Sequence, residues 1–364
     1  MKKIDIFNNK KVLVTGHTGF KGAWLSKWLD LLGAKVIGVS KDVPTSPSHF
    51  ENLQFKNRIS DYRVNINDQI AIEEIVLSEK PDFVFHLAAQ SLVKASYDNP
   101  IQTWNTNTIG TINVLESLRK LNHKCIAILI TSDKCYDNVE WVWGYKESDK
   151  LGGPDPYSAS KGAAEIAISS YCRSFFPKDG NIKIASGRAG NVIGGGDWAE
   201  DRIVPDCIKA WACNKMVPIR NPLSTRPWQH VLEPLSGYIN LALELSSNNA
   251  LSWESFNFGP DSSLTRNVGE LVEVMSSFWP DAKWENLSRE DKKLYESKLL
   301  KLNCDKALFY LNWSPVWDFS QTVSKTMTWY KNYYENPLEI TSLTTKQIKS
   351  YMTDAYNKGL LWAL

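Results

Sequence analysis

The chain is 364 residues long, with 42 Lys and Arg against 40 Asp and Glu, a formal charge of +2, and 43% hydrophobic and 23% charged residues. That length can bury a sizeable core without disulfide or metal staples, and so even a charge balance argues against a nucleic-acid binder, which would carry a basic patch. No apolar run approaches the ~18 residues of a membrane span, so no membrane partner is expected. The opening stretch MKKIDIFNNKKVLVTG is charged without an apolar core, so no secretory signal is expected. Six Cys with no CxxC pair suit a reducing, cytoplasmic setting. The five His are scattered without ligand spacing, so no metal is expected. Fifteen Trp are read as core and interface packing.

Up to residue 189, short β-branched runs alternate with helical patterns. Strands are expected at Lys11–Thr15, Lys35–Ser40, Asp61–Asn65, Phe83–Leu87, Cys125–Thr131 and Lys183–Arg188. Helices are expected at Gly19–Leu32, Asp68–Ser78, Ile101–Leu121 and Pro156–Phe176. Alternation at this spacing predicts an α/β fold, a doubly wound parallel sheet. From residue 190 the chain turns rich in Gly, Pro, Trp and Asn. Helices are expected at Ile203–Trp211, Pro234–Leu245 and Asn267–Phe278, a short strand at Ser255–Phe258, and a last amphipathic helix at Phe319–Tyr334 after a Trp313-Ser314-Pro315 break. The expected division is a dinucleotide-binding domain, residues 1–189, and a smaller mixed α/β lobe for substrate, 190–364, some of whose segments return to the first domain.

Three groups of residues carry chemistry. The first strand runs into Gly16-His17-Thr18-Gly19-Phe20-Lys21-Gly22 and then straight into a helical pattern. Glycines permit a tight turn and close approach of backbone to a pyrophosphate, and the helix N-terminus offers free N–H groups. Ser40 stands where an Asp or Glu would select a free ribose hydroxyl, which leaves NAD against NADP open on residue chemistry alone. Asn65, at the expected end of the third strand, can meet an adenine edge. Tyr157 and Lys161 lie four apart near the start of a helix, on one face. A tyrosine titrates near pH 10, and a nearby cation would lower that value. With Ser132 at a strand end, these are the parts for taking a hydroxyl proton while hydride leaves for a nicotinamide.

Gly16-x-x-Gly19-x-x-Gly22, His86-Leu87-Ala88-Ala89 and Tyr157-x-x-x-Lys161 resemble the extended short-chain dehydrogenase/reductases over nearly the whole chain. The resemblance implies a Rossmann-like fold, a nucleotide-sugar substrate and a recycled NAD. It adds Ile66, Leu87, Ala88 and Ala89 to the cofactor contacts and Gln90 to the substrate contacts. Thr131-Ser132-Asp133-Lys134 is similar to the Thr-Asp-Glu stretch of that family's nucleotide-sugar 4,6-dehydratases. There the Asp protonates the leaving hydroxyl and the Glu removes the C5 proton. Lys134 in the base position resembles the branch that acts on CDP-glucose. The substrate's diphosphate calls for cations, and Arg202 and Arg226 fit that need because guanidinium pairs well with phosphate oxygens, with Arg220 a weaker candidate; the resemblance makes Asn191 a further diphosphate contact. It also implies a homodimer built on the helices Ile101–Leu121 and Pro156–Phe176. Another nucleotide-sugar dehydratase or an epimerase of the same family, and a non-catalytic dinucleotide-binding protein, are the rival readings. The Asp133-Lys134 pair stands against an epimerase, and the intact Ser132, Tyr157 and Lys161 against a non-catalytic protein.

Overall fold

A computed structural model describes residues 3–55, 58–261, 266–287 and 299–363. Seven parallel strands form its main sheet: β1 (Lys11–Thr15), β2 (Lys35–Val39), β3 (Ile59–Tyr62), β4 (Phe83–His86), β5 (Cys125–Ile130), β6 (Ile182–Ala189) and β7 (Ser255–Phe258). Their order across the sheet is β7-β6-β5-β4-β1-β2-β3. Successive side chains of a strand face opposite sides. Accordingly Val12 and Val14 join one apolar core with Trp24, Trp28 and Trp329, while Leu13 joins a second core with Leu115 and Ile168. Burial on both faces explains why these strands read as continuous apolar runs. The strand order reverses between β1 and β4, and the crevice at their carboxyl ends is where such sheets bind ligands.

β1 and β7 have the expected bounds, and four other strands differ from expectation by a residue or two. The third strand is Ile59–Tyr62, two residues earlier than expected, because its parallel register with β2 runs from Val36 opposite Ile59 to Val39 opposite Tyr62. Asn65 therefore lies beyond the strand, and its Oδ1 accepts a hydrogen bond from the Asn67 amide (3.0 Å). The helix expected over Ile101–Leu121 is interrupted: Pro100–Trp104 and Gly110–Lys120 are α-helical, and Asn105–Ile109 between them is a π turn. The wider turn re-phases the helix, and Gly110 there packs against Ile66, where a Cβ would come within 2.7 Å of Cγ2.

Phe319–Glu335 is not the last helix: Ile340–Asn357 follows it. Its buried face includes Thr344 and Gln347 beside Ile340, Ile348, Tyr351 and Ala355, which blurs the apolar period in the sequence. Thr344 hydrogen-bonds His49 (3.2 Å), and Thr341 donates to the Asn52 carbonyl (2.8 Å), so the end of the chain is fastened to the segment after β2. The stretch after residue 190 supplies, through β7, an edge strand of the main sheet, and most of its buried apolar residues share one core with Val12, Val14 and Trp24. Trp24, Trp28, Trp313, Trp329 and Trp362 are fully buried, in line with a packing role.

Candidate active site

The glycine loop leaves β1 with Gly16 at φ +74°, a conformation that L side chains rarely adopt. A Cβ on Gly16 would fall 2.8 Å from the Ala88 nitrogen, and one on Gly22 would fall 2.0 Å from the Gly16 carbonyl oxygen. At Gly19 a Cβ would meet only that same oxygen, at 3.4 Å, so a side chain there would fill the open side of the turn. The helix α1 (Phe20–Leu31) starts directly behind it. This bare backbone cradle at a helix N-terminus fits the pyrophosphate of a dinucleotide.

The loop is held from below by side chains rather than by its own turn alone. His17 is fully buried: its Nδ1 meets Ser40 Oγ (3.0 Å), its Nε2 meets Asp61 Oδ1 (3.0 Å), and its ring lies so close to Gly38 that a Cβ there would come within 2.3 Å. Burial pushes its pKa down, with Asp61 pulling the other way. The Thr18 amide donates to Ser40 Oγ (3.4 Å), and the Thr18 hydroxyl to the Asp42 carbonyl (2.6 Å). Ser40 is thus occupied with the loop itself. The Leu87 and Ala88 amides both donate to Thr15 Oγ1 (3.1 Å each), which also meets His86 Nδ1 (2.8 Å). His86 Nε2 meets Thr111 (3.1 Å), so β1, β4 and the helix Gly110–Lys120 are joined by one buried chain.

The sequence reading missed Asn107, which the π turn aims inward. Its Oδ1 accepts from the Gln90 amide (2.8 Å), and its Nδ2 donates to the Gln90 carbonyl (3.1 Å) and to Ser160 (2.9 Å). The signal for it was available: Asn105-Thr106-Asn107-Thr108 is a run of poor helix formers inside an otherwise helical stretch. The Gln90 side chain is turned into its own loop, donating to the Leu92 carbonyl and to Thr103 (3.0 Å each).

The carboxyl end of β5 delivers Ser132, whose Oγ accepts from the Lys134 amide (3.2 Å) and caps the single turn Asp133–Cys135. The same hydroxyl donates to Asp133 Oδ1 (2.9 Å). Asp133 is only 2% exposed, and its Oδ2 has no hydrogen-bond partner. Burial raises its pKa, outweighing Lys134, Ser132 and Lys21, which shifts the carboxyl toward its protonated form. Tyr157 and Lys161 enter from helix Pro156–Phe175, capped by Asp155 accepting from the Ser158 amide (3.0 Å).

Burial pushes Tyr157 up to about 12 and Lys161 down to about 8. The expected lowering of the tyrosine by Lys161 is thus overridden by desolvation. The groups that pull Tyr157 downward are its hydrogen bond with Ser132 and the charge of Arg202. Lys21, from the start of α1, is also driven down to about 8 by burial, and Asp133, Arg202 and Lys161 all act on it. One cluster therefore joins Lys21, Ser132, Asp133, Tyr157, Lys161 and Arg202 at the ends of β1 and β5.

Within the cluster, Arg202 also pairs with Asp197 (2.8 Å) and donates to Ser91 (3.2 Å). Two other expected site residues are placed differently. Asn191 is exposed. Arg226 lines a cleft with Trp228, Arg266, Trp317 and Lys358. Among the described residues, no group of three or more His, Cys, Asp or Glu is placed to hold a metal ion, and no helix is long and apolar enough to cross a membrane.

Residues 13–326 match the family model described as GDP-mannose 4,6 dehydratase. The CDP-glucose 4,6-dehydratase of Salmonella typhimurium is 43% identical over 354 residues, covering 96% of this chain and 98% of that protein. The CDP-paratose 2-epimerase of Salmonella typhi is 24% identical, covering 88% and 98%. Among solved structures, the dTDP-glucose 4,6-dehydratase of Bacillus anthracis in complex with NAD superposes with a TM-score of 0.74 at 21% identity, covering 90% of this chain and 99% of that one.

Proposed function

The chain belongs to the GDP-mannose 4,6-dehydratase family, and from that premise we propose that it is an NAD-dependent lyase that converts CDP-glucose to CDP-4-keto-6-deoxyglucose and water. The observation that carries this reading is Asp133. It is a buried carboxyl kept toward its protonated form, with one oxygen unpartnered, set between the hydroxyl of Ser132 and the amine-bearing Lys134. A site that only moved hydride would have no use for a second acid.

NAD, when bound, accepts a hydride from the sugar and later returns it. The residues that would hold it are the loop Gly16 to Gly22, together with Ile66, Leu87, Ala88 and Ala89, and Tyr157 and Lys161 at the reacting end. Ser40 and Asn65 act on that site by shaping its walls. Tyr157 takes the proton of the C4 hydroxyl as C4 is oxidised, aided by its hydrogen bond with Ser132. The C4 ketone acidifies the C5 hydrogen, and Lys134 removes that proton. Asp133 donates its proton to the C6 hydroxyl, which leaves as water. Lys134 returns its proton to C5 as C6 is reduced, and the proton that Tyr157 took from the C4 hydroxyl passes on to the Asp133 carboxylate, so all three groups are reset for the next cycle. Arg226 and Asn191 hold the diphosphate of the sugar nucleotide. Arg202, beside Tyr157, sits at the sugar-proximal phosphate, and Gln90 shapes the sugar pocket through its loop.

The chain is proposed to work as a homodimer in the cytoplasm. Ile101, Trp104 and Ile109 from one helical stretch and Ile166 and Phe175 from helix Pro156–Phe175 are exposed apolar side chains of the kind that pair copies. None of its six Cys is in a disulfide, which suits a reducing compartment. The deciding experiment incubates the protein with NAD and, separately, CDP-glucose, dTDP-glucose, UDP-glucose and GDP-mannose. A 4-keto-6-deoxy product from CDP-glucose is expected. Conversion of another nucleotide sugar in its place, or epimerisation without loss of water, would overturn the assignment.

A further inference from the structure

Beneath the reacting groups lies an ion pair that the mechanism above does not use. Glu165 stands one helical turn beyond Lys161, which stands one turn beyond Tyr157, so the three share one face of helix Pro156–Phe175. The Glu165 and Arg188 side chains are 2% and 3% exposed and pair at 2.8 Å. Every carboxylate oxygen of Glu165 is engaged. Oε1 accepts from the Thr131 hydroxyl, and Oε2 accepts from Arg188, Ser186 (3.1 Å) and Ser255 (3.2 Å). Arg188 in turn donates to the Tyr136 hydroxyl (2.8 Å) and the Glu147 carbonyl (3.1 Å), and Tyr136 donates to Asn257 (2.7 Å).

Thr131 immediately precedes Ser132-Asp133-Lys134, and Tyr136 immediately follows Cys135. One ion pair thus grips both ends of the turn. Stability alone gives little reason for it, since a well-packed apolar replacement of a buried pair is often as stable or more so.

We propose that the Glu165–Arg188 pair is a positioning element of the dehydration site, clamping the turn that carries Ser132, Asp133 and Lys134 to the helix that carries Tyr157 and Lys161, and placing a negative charge beneath Lys161. This rests on the dehydratase reading. The groups facing Lys161 are Glu165 on its own helix, Cys135 on the turn, His86 at the end of β4 and Lys21 at the start of α1. Burial pushes the Cys135 thiol far up and His86 down to about 3, so both are uncharged at neutral pH. Glu165 is then the anion that opposes the desolvation of Lys161.

The test uses two variants of the full chain. Glu165→Gln/Arg188→Met removes both charges at similar volume and avoids leaving Arg188 buried and unpaired. Thr131→Val removes only the grip on the turn. In the double variant kcat should fall ~10- to 10²-fold with KM little changed, as expected when reacting groups are misplaced. The alkaline limb of its pH profile should move down by about one unit, because loss of an opposite charge lowers a lysine pKa. NMR titration of 13C-labelled Lys161, assigned with Lys161→Arg, should show the same shift in protein without added NAD. Thr131→Val should lower kcat and leave the Lys161 titration unmoved.

A folded double variant with wild-type kcat and an unshifted titration overturns the proposal. So does Thr131→Val with wild-type kcat, and that result decides the matter if the double variant does not fold. Wild-type protein that fails to convert CDP-glucose overturns the functional reading instead, and the NMR titration still tests the charge beneath Lys161.

Discussion

Replacing Lys134 by Met separates the two halves of the proposed reaction. The Lys134 side chain is half-buried and makes no hydrogen bond or ion pair among the described residues, while its amide bond to Ser132 survives any side-chain change. Met keeps most of the stem, so the fold should change in stability by no more than about 0.5 kcal/mol. The charges acting on Tyr157 are those of Asp133, Arg202 and Asp155, all untouched. Lys134 is the first of the groups that hold the Asp133 pKa down, so its loss should move that pKa further up, toward the protonated acid. Oxidation at C4 should therefore proceed, and the C5 proton should stay in place. A general base contributes ~10²- to 10⁴-fold, or about 3–5 kcal/mol of barrier, and 6-deoxy product should fall by that factor. The assay follows reduced nicotinamide by absorbance and C5 exchange by incorporation of deuterium from solvent. Reduced cofactor should accumulate with a 4-keto sugar that keeps its C6 hydroxyl and its C5 hydrogen. Near wild-type release of 6-deoxy sugar would show that another group takes the C5 proton. Loss of nicotinamide reduction would show that Lys134 acts earlier, and either result refutes the role given to it.

Tyr157→Phe should instead suppress nicotinamide reduction, because it removes the hydroxyl assigned to take the C4 proton; reduction at the wild-type rate would displace Tyr157 from its role. With C4-deuterated CDP-glucose, the wild-type enzyme should carry deuterium to C6 of the same sugar without net reduction of NAD, and build-up of reduced cofactor in proportion to product would contradict this. Ser40→Ala removes the partner of His17 Nδ1 and of the Thr18 amide. At ~1 kcal/mol or more for a broken buried hydrogen bond, NAD should bind at least several-fold more weakly by calorimetry, and an unchanged Kd would detach Ser40 from the loop. Glu233 is buried, accepts from the Val316 and Trp317 amides (2.9 and 2.8 Å), and is pushed by burial from 4.5 up to about 7. A carboxyl raised on folding favours the native state at low pH, and that advantage is lost as pH rises from the unfolded value through the folded one. The shift corresponds to about 3 kcal/mol, so urea unfolding of the wild type relative to Glu233→Gln should lose about that much stability between roughly pH 4.5 and 7.5. A difference that stays flat across that range would refute the assignment.

Most of the parallel sheet was legible because β1, β2, β4 and β5 are buried on both faces and so read as apolar runs between turn signals. The glycine loop and the Tyr157–Lys161 spacing were legible because backbone geometry and helix periodicity demand particular residues at fixed offsets. What the sequence concealed came from tertiary contacts. The third strand ends where β2 ends, at Tyr62, since an edge strand can pair only as far as its neighbour extends. The final helix hides its inward face behind Thr344 and Gln347, which are buried with Thr344 Oγ1 held by His49 and Trp329 and Gln347 Nε2 donating to the Lys325 carbonyl. Ser40 reads as a ribose contact by position, yet its hydroxyl is taken by His17 and Thr18, which no spacing rule reveals. The upward shift of Tyr157 was hidden for the same reason, since desolvation depends on everything packed around the ring.

An acid and a base drawn from adjacent Asp and Lys pose a charge problem that an Asp-Glu pair does not. Side by side, a carboxylate and an ammonium attract each other, and the Lys134 charge is the strongest that acts on Asp133. Their side chains nevertheless do not close a direct ion pair. Ser132 occupies Asp133 Oδ1, no ion pair joins residues 133 and 134 among the described residues, and burial favours the neutral carboxyl. Gly190 packs against Oδ2: a Cβ there would come within 2.9 Å of that oxygen, with Pro227 just beyond. A side chain at 190 would press on the acid itself, so the bare backbone lets Asp133 keep its place beside Ser132.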